Sequence, residues 1–99
     1  MKYAVKIYPR AYQDLDGIYS YIAKNLMAQE TAENLLTRLE DAIFSLEQFP
    51  ERESVRRIGS YANQGYRQLS VKNYTIIYRV HKERQEVHVV TVRYSRSQF

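Results

Sequence analysis

Apolar and polar positions change their period along this chain, and the changes mark its elements. Residues 2–8 alternate, with Tyr3, Val5 and Ile7 on one side and Lys2, Ala4 and Lys6 on the other, the two-residue period of a half-buried strand. Pro9 ends it. From Arg10 the spacing becomes three or four, through Ala11, Leu15, Ile18 and Ile22 with Tyr12 and Tyr19 beside them, which predicts an amphipathic helix running to about Asn25. Gly17 lowers its propensity without breaking the stripe. After a short connection at Leu26 and Met27, the positions Ala32, Leu35, Leu39, Ile43 and Leu46 mark a second helix that stops at Pro50. So short a connection predicts an antiparallel helical hairpin whose apolar stripes cover a common surface.

Residues 51–65 are the least regular stretch, with Val55, Ile58 and Tyr61 as apolar anchors among Arg52, Arg56, Arg57, Gly59, Asn63 and Gly65. A loop with at most a short strand is expected, and a basic loop of this length points to function. From Tyr66 onward three strands are predicted, 66–71, 74–81 and 87–93, joined by Lys72-Asn73 and by the charged segment 82–86. Tight connections make them an antiparallel meander. Tyr74, Ile76, Tyr78 and Val80 share one face of the middle strand, and Thr75, Ile77 and Arg79 the other. The order β-α-α-β-β-β predicts one α+β domain over residues 1–99, an antiparallel sheet with a helical hairpin packed on one face and the other face partly open.

Composition narrows the possible chemistry. With no cysteine and only two histidines, His81 and His88, thiolate sites are excluded and no zinc site or other metal or cofactor is expected. No apolar run approaches the roughly 20 residues that span a bilayer, so no membrane association is expected and the chain reads as cytoplasmic. Charge is divided unevenly. Through Pro50, five Lys or Arg face seven acids, and after it ten face four. A late half with a balance of +6 suggests an acidic partner, nucleic acid or protein, although arginine also keeps strand surfaces soluble.

Four segments carry a family likeness: YPRAYQDLDGIYSYIA (8–23), the second helix ending in LEQFPE, GYRQLSVKNYTIIYRV (65–80) and the C-terminal VVTVRYSRSQF. Tyr66-Arg67, the ending Ile76-Ile77-Tyr78 and the run into Tyr94-Ser95-Arg96 are its most specific parts. Together they resemble the RelE/ParE toxin superfamily over essentially the whole chain. The resemblance implies the toxin of a bacterial type II toxin-antitoxin system, held inactive by a cognate antitoxin. It also implies one of two targets, because RelE-like members cut messenger RNA in the ribosomal A site and ParE-like members bind DNA gyrase. Whether the chain is an enzyme depends on which holds.

Cleavage by 2′-hydroxyl attack needs a group to take a proton, cations for the crowded phosphate and an acid for the leaving oxygen. For that reaction the candidates are Arg67, Arg93 and Arg96 as cations and Tyr94 as a stacking or proton-donating group. Tyr66, Tyr74 and Tyr78 are read as packing residues. Nuclease members resembling RelE carry arginine just before the apolar-apolar-tyrosine ending, where Thr75 stands here. Arg79 has the same strand parity but lies about 13 Å further along an extended chain. The long helices and the missing arginine lean toward gyrase, with Arg56, Arg57, Arg79, Arg93 and Arg96 as target-binding candidates on the open face and the basic tail. A third reading is a non-toxic basic domain that uses its charge for nucleic-acid or protein contacts.

Overall fold

The computed structural model describes residues 2–96. Its elements follow the expected order: β1 (Ala4–Ile7), α1 (Pro9–Ser20), α2 (Gln29–Ser45), β2 (Arg67–Val71), β3 (Tyr74–His81) and β4 (Glu86–Tyr94). The four strands form one sheet in the order β1-β4-β3-β2, with the two helices against one face. β2, β3 and β4 make the predicted antiparallel meander. β1 departs from an all-antiparallel sheet, because it lies parallel to β4, Val5 opposite Val87 and Ile7 opposite Val89. The meander leaves an edge of β4 free for a further strand, and β1 runs along it toward the point where Pro9 starts α1.

The first helix also differs at its end. Regular α-helix stops at Ser20, and Tyr21–Asn25 continue as a wider π turn in which the Leu26 amide donates to the Tyr21 carbonyl at 3.2 Å. Met27 then takes a left-handed φ of 51° and turns the chain into α2. At the far end of α2, the ring of Pro50 disfavours helical backbone in the residue before it. Phe49 takes a left-handed φ of 49° instead of the extended backbone usual before proline, and Pro50–Arg52 form one 3-10 turn.

Ala11 and Leu15 of α1 and Leu39, Ile43 and Leu46 at the end of the α2 stripe pack onto Ile76 and Tyr78 of β3 and Val87, Val89 and Val92 of β4. Tyr3, Val5, Ile7, Leu69 and Val71 close the margins from the outer strands. Burial of each large aliphatic chain contributes about 1.5–3 kcal/mol, and Leu39, Ile43 and Leu46 are all wholly buried. These three fix the hairpin to the sheet.

One irregularity decides which residues face outward. Ile77 pairs with Thr91 but Tyr78 pairs with Val89, so Val90 has no partner on β3. Such a bulge shifts the alternation of the strand by one residue. Val87 and Val89 face the helices before it, Val92 faces them after it, and Arg93, in register with Thr75, is carried to the open side.

Candidate target-binding face

The open side of the sheet is built from Tyr66 and Gln68 around β2, Thr75, Ile77 and Arg79 of β3, His88, Thr91 and Arg93 of β4, and Lys6 of β1. Their shared face follows from the strand pairings, Lys6 to His88 to Arg79 and Gln68 to Ile77 to Thr91. The irregular loop folds beside it through a bridge between Val55 and Arg67, and the Arg56 amide donates to the Tyr66 carbonyl at 2.7 Å. Arg56 then places its Nη1 2.9 Å from Gln68 Oε1 and its Nε 2.6 Å from the Ser60 carbonyl. Burial, and then the neighbouring charge of Arg93, hold the Arg56 guanidinium below its ordinary range. Two mutually repelling guanidinium groups on one side favour an anionic visitor.

Arg93 is oriented by its own strand, its Nε donating to Thr91 Oγ1 at 3.2 Å. Thr91 in turn donates to the carboxylate of Asp14 on α1, which also accepts the Val92 amide at 3.0 Å and pairs with Arg10 at 3.2 Å. Asp14 thus ties the helical layer to the part of β4 that lies past the end of β1. Arg79 lies over the Tyr66 ring, 5.3 Å from its centroid, an arrangement that holds a cation on a surface while leaving its outer side to solvent. A Cβ at Gly65, where φ is +82°, would stand 3.7 Å from Arg79 Nε, so glycine here serves the backbone conformation more than the space.

Among the sequence candidates, Arg56, Arg79 and Arg93 therefore share the open face. Arg57 and Arg96 are exposed, in the loop and after β4 respectively. Arg67 and Tyr94 belong elsewhere. Arg67 pairs with Tyr78 on the helix side, where its Nη1 donates to the carbonyls of Glu51 at 3.2 Å and Glu53 at 2.5 Å and its Nη2 lies 3.7 Å from the Glu51 carboxylate. It anchors the 3-10 turn. Tyr94 meets Tyr74 edge-on, centroids 5.6 Å apart, and helps line an apolar groove with Tyr21, Ile22 and Leu26. Residues 97–99 of the tail lie outside the described residues.

Thr75 is almost fully buried, and its Oγ1 lies 2.8 Å from Ser95 Oγ. Two neutral hydroxyls thus meet at this position, and neither can stabilise an anionic phosphate by charge. The two imidazoles stand on the same face, and among the described residues no cluster of His, Cys, Asp and Glu could hold a metal ion. The sequence alone shows no partners for His81 or His88. The structure supplies them: His88 lies between Tyr8 and Glu86, and His81 stacks on it. Glu86 and His88 stand two apart on one strand, a visible signal, but Tyr8 joins them only through the parallel pairing of β1 with β4.

A helical hairpin on one face of a small mixed sheet, with arginines gathered on the other, defines a class of small α+β proteins. Solved structures share that architecture at low sequence identity. A chain of the chromosomal ParDE system of P. aeruginosa is 20% identical, with TM-score 0.77 over 94% of this chain and 96% of that one. One of the RelBE2 toxin-antitoxin complex of Mycobacterium tuberculosis is 19% identical, with TM-score 0.71 over 95% and 92%. One of the archaeal RelE-RelB complex of Pyrococcus horikoshii is 17% identical, with TM-score 0.62 over 98% and 100%. No curated protein matches the sequence. Residues 5–99 match the model of the ParE toxin of type II toxin-antitoxin systems, and the chain belongs to that family. It is a toxin of the RelE/ParE superfamily.

Proposed function

We propose that this toxin arrests growth by binding DNA gyrase through its open sheet face, without cutting RNA, and that a cognate antitoxin holds it in check in the cytoplasm. The observation that carries this reading is the Thr75–Ser95 hydroxyl pair, which stands where the resemblance to RelE-like nucleases would call for an arginine. Tyr94, the proton donor a nuclease reading would use, lies in the helix-side groove edge-on against Tyr74. Such a mode of action needs positioning and charge and no cofactor. The arginines Arg56, Arg79 and Arg93 would meet the acidic surface of the target, with Arg57 and Arg96 at the margins.

The antitoxin requires a different surface. The groove lined by Tyr21, Ile22, Leu26, Tyr74 and Tyr94 is mostly apolar, with Asp14 and Arg93 also in its lining, and Leu26 and the neighbouring Met27 are 56% and 88% exposed. An amphipathic segment with acidic residues suits that groove. The arginines on one face give the ribosome-dependent endonuclease reading its own support, so the deciding experiment must separate the two. Induced expression should raise DNA-damage signalling while translating messages stay uncut, and purified toxin should inhibit gyrase supercoiling. Codon-positioned cuts in ribosome-bound messages, with gyrase unaffected, would overturn the reading.

A further inference from the structure

At the other end of the open face stands a group of side chains that the target-binding reading does not use. The Tyr8 hydroxyl lies 2.7 Å from His88 Nδ1, and His88 Nε2 lies 2.9 Å from Glu86 Oε1. Their order is phenol, imidazole, carboxylate, each within hydrogen-bond reach of the next. The same relation activates nucleophiles generally: a base touching the nucleophile and a third group orienting the base. We infer that Tyr8, His88 and Glu86 form an acceptor site for acyl groups, in which Tyr8 is the nucleophile.

The direction of the hydrogen bonds follows from the chemistry of the three groups. The hydrogen bond from His88, ahead of other causes, holds the Glu86 carboxyl below its usual range, so Glu86 is a carboxylate at neutral pH and only accepts. In the neutral imidazole the single proton must then sit on Nε2, which leaves Nδ1 as an acceptor facing the phenol. Tyr8 donates to it. The His88 side chain is only 12% exposed, and the His81 ring packs on it with centroids 4.1 Å apart, so the base is held in place. Tyr8 itself is 40% exposed and open to a reagent.

In the step we assign, a lone pair of the Tyr8 oxygen forms a bond to the carbonyl carbon of an activated ester. The bond from that carbon to the leaving alkoxide or phenoxide breaks, and the phenolic proton passes to His88 Nδ1. His88 then returns it to the leaving group or to water, and an acyl-tyrosine remains. A neutral carbonyl suits the site better than a phosphoryl group, because the Lys6 ammonium two residues away lies 3.8 Å from the Glu86 carboxylate and faces that charge. Acylation would remove the proton that Tyr8 shares with His88, at the junction of β1 and β4, beside the Arg79 end of the face.

Accessibility alone predicts the opposite order of reactivity, since Tyr12 and Tyr21 are 56% and 55% exposed and should react faster than Tyr8. The test treats the folded full-length toxin with p-nitrophenyl acetate and locates acetyl groups by peptide mass spectrometry. Tyr8 should acetylate at least about tenfold faster than Tyr12 or Tyr21, a modest share of what a positioned base supplies. His88→Phe should bring Tyr8 below both, and Glu86→Gln should slow it several-fold while leaving the reference tyrosines unchanged. Should His88→Phe unfold the chain, buried Tyr78 would acetylate too, and Glu86→Gln then carries the test. Tyr8 reacting no faster than Tyr12, or keeping its rate when His88 or Glu86 is replaced in a folded chain, overturns the assignment.

Discussion

Replacing Tyr78 by phenylalanine tests how the loop that carries Arg56 is held in place. Tyr78 is wholly buried, and its hydroxyl donates to the Pro50 carbonyl at 2.6 Å. The ring stays, so no cavity opens and the cost reduces to one buried hydrogen bond whose acceptor is left unpaired. That costs about 1–3 kcal/mol, out of a total of about 5–15 kcal/mol for a domain of ordinary stability. At about 4–8 °C per kcal/mol for a chain of this size, a central loss of about 2 kcal/mol lowers Tm by roughly 8–16 °C. Arg67 grips the same turn through the Glu51 and Glu53 carbonyls, so the variant should also exchange amides faster over residues 53–66.

Alkaline pH supplies a second, independent reading of the same bond. Burial pushes the Tyr78 phenol up to about 12, above the value near 10 expected in the unfolded chain. A raised folded value means that the stabilisation is fully present below about pH 10 and is lost as pH rises toward 12, because the unfolded chain releases this proton first. Phenylalanine has no proton to release. The stability gap between wild type and Tyr78→Phe, measured by urea denaturation, should therefore be widest near neutrality and shrink from pH 10 to 12. A neutral-pH difference under about 0.5 kcal/mol, the range of ordinary surface substitutions, or a gap that stays constant up to pH 12, would refute the reasoning.

Asp14→Ala should destabilise by about 1–3 kcal/mol, because it strips acceptors from Thr91 and the Val92 amide; slow exchange persisting at that amide would argue against the tie. The His81 imidazole is held below its ordinary value, first by desolvation and then by His88, Arg79 and Arg84, with Glu83 opposing them. Its contribution is thus present above about pH 6.5 and lost as pH falls, with Glu86 and Lys6 at the other side of His88 acting on the same group of charges. Denaturation midpoints should drop between pH 7 and 5, and His81→Gln should flatten that drop; an unchanged slope counts against it. Removing residues 94–99 should abolish growth arrest in a plating assay while circular dichroism shows a folded chain, since Tyr94 and Ser95 meet Tyr74 and Thr75 at one end of the sheet, away from the Leu39, Ile43 and Leu46 core. Undiminished arrest would remove the tail from the working surface.

The element order was legible because each apolar stripe has one period and a proline or a tight turn at its limits. Leu39, Ile43 and Leu46 announced the core before any tertiary information. The position of Arg67 was legible too: the two-residue connection Lys72-Asn73 sets Val71 opposite Tyr74 and hence Arg67 opposite Tyr78, on the core side. What stayed hidden depends on long-range register. The parallel seating of β1 joins residues about eighty positions apart, and no local spacing reveals that Tyr8 meets His88. The π turn after Ser20 was equally silent, since the apolar spacing through Ile22 fits a regular helix just as well.

The bulge at Val90 explains why the facing of Arg93 could not be read from strand parity. Val87, Val89, Thr91 and Arg93 all lie two apart, so an unbroken β4 would turn every one of them toward the helices and aim the Arg93 guanidinium at the core. One extra residue between Val89 and Thr91 reverses the outcome for everything beyond it. Val92 takes the core position, Arg93 joins Arg56 and Arg79 outside, and Tyr94 is sent into the groove beside the helical hairpin. A single insertion thereby supplies a charge to one surface and an aromatic ring to the other. Bulges are placed where a strand must re-aim a side chain, and here Arg93, just past the bulge, borders both the face assigned to the target and the groove assigned to the antitoxin. Asp14 secures that arrangement, because the Thr91 hydroxyl and Val92 amide it accepts are the first groups past the irregularity. Both surfaces consequently depend on one carboxylate of α1, and loosening it should disturb target and antitoxin contacts together.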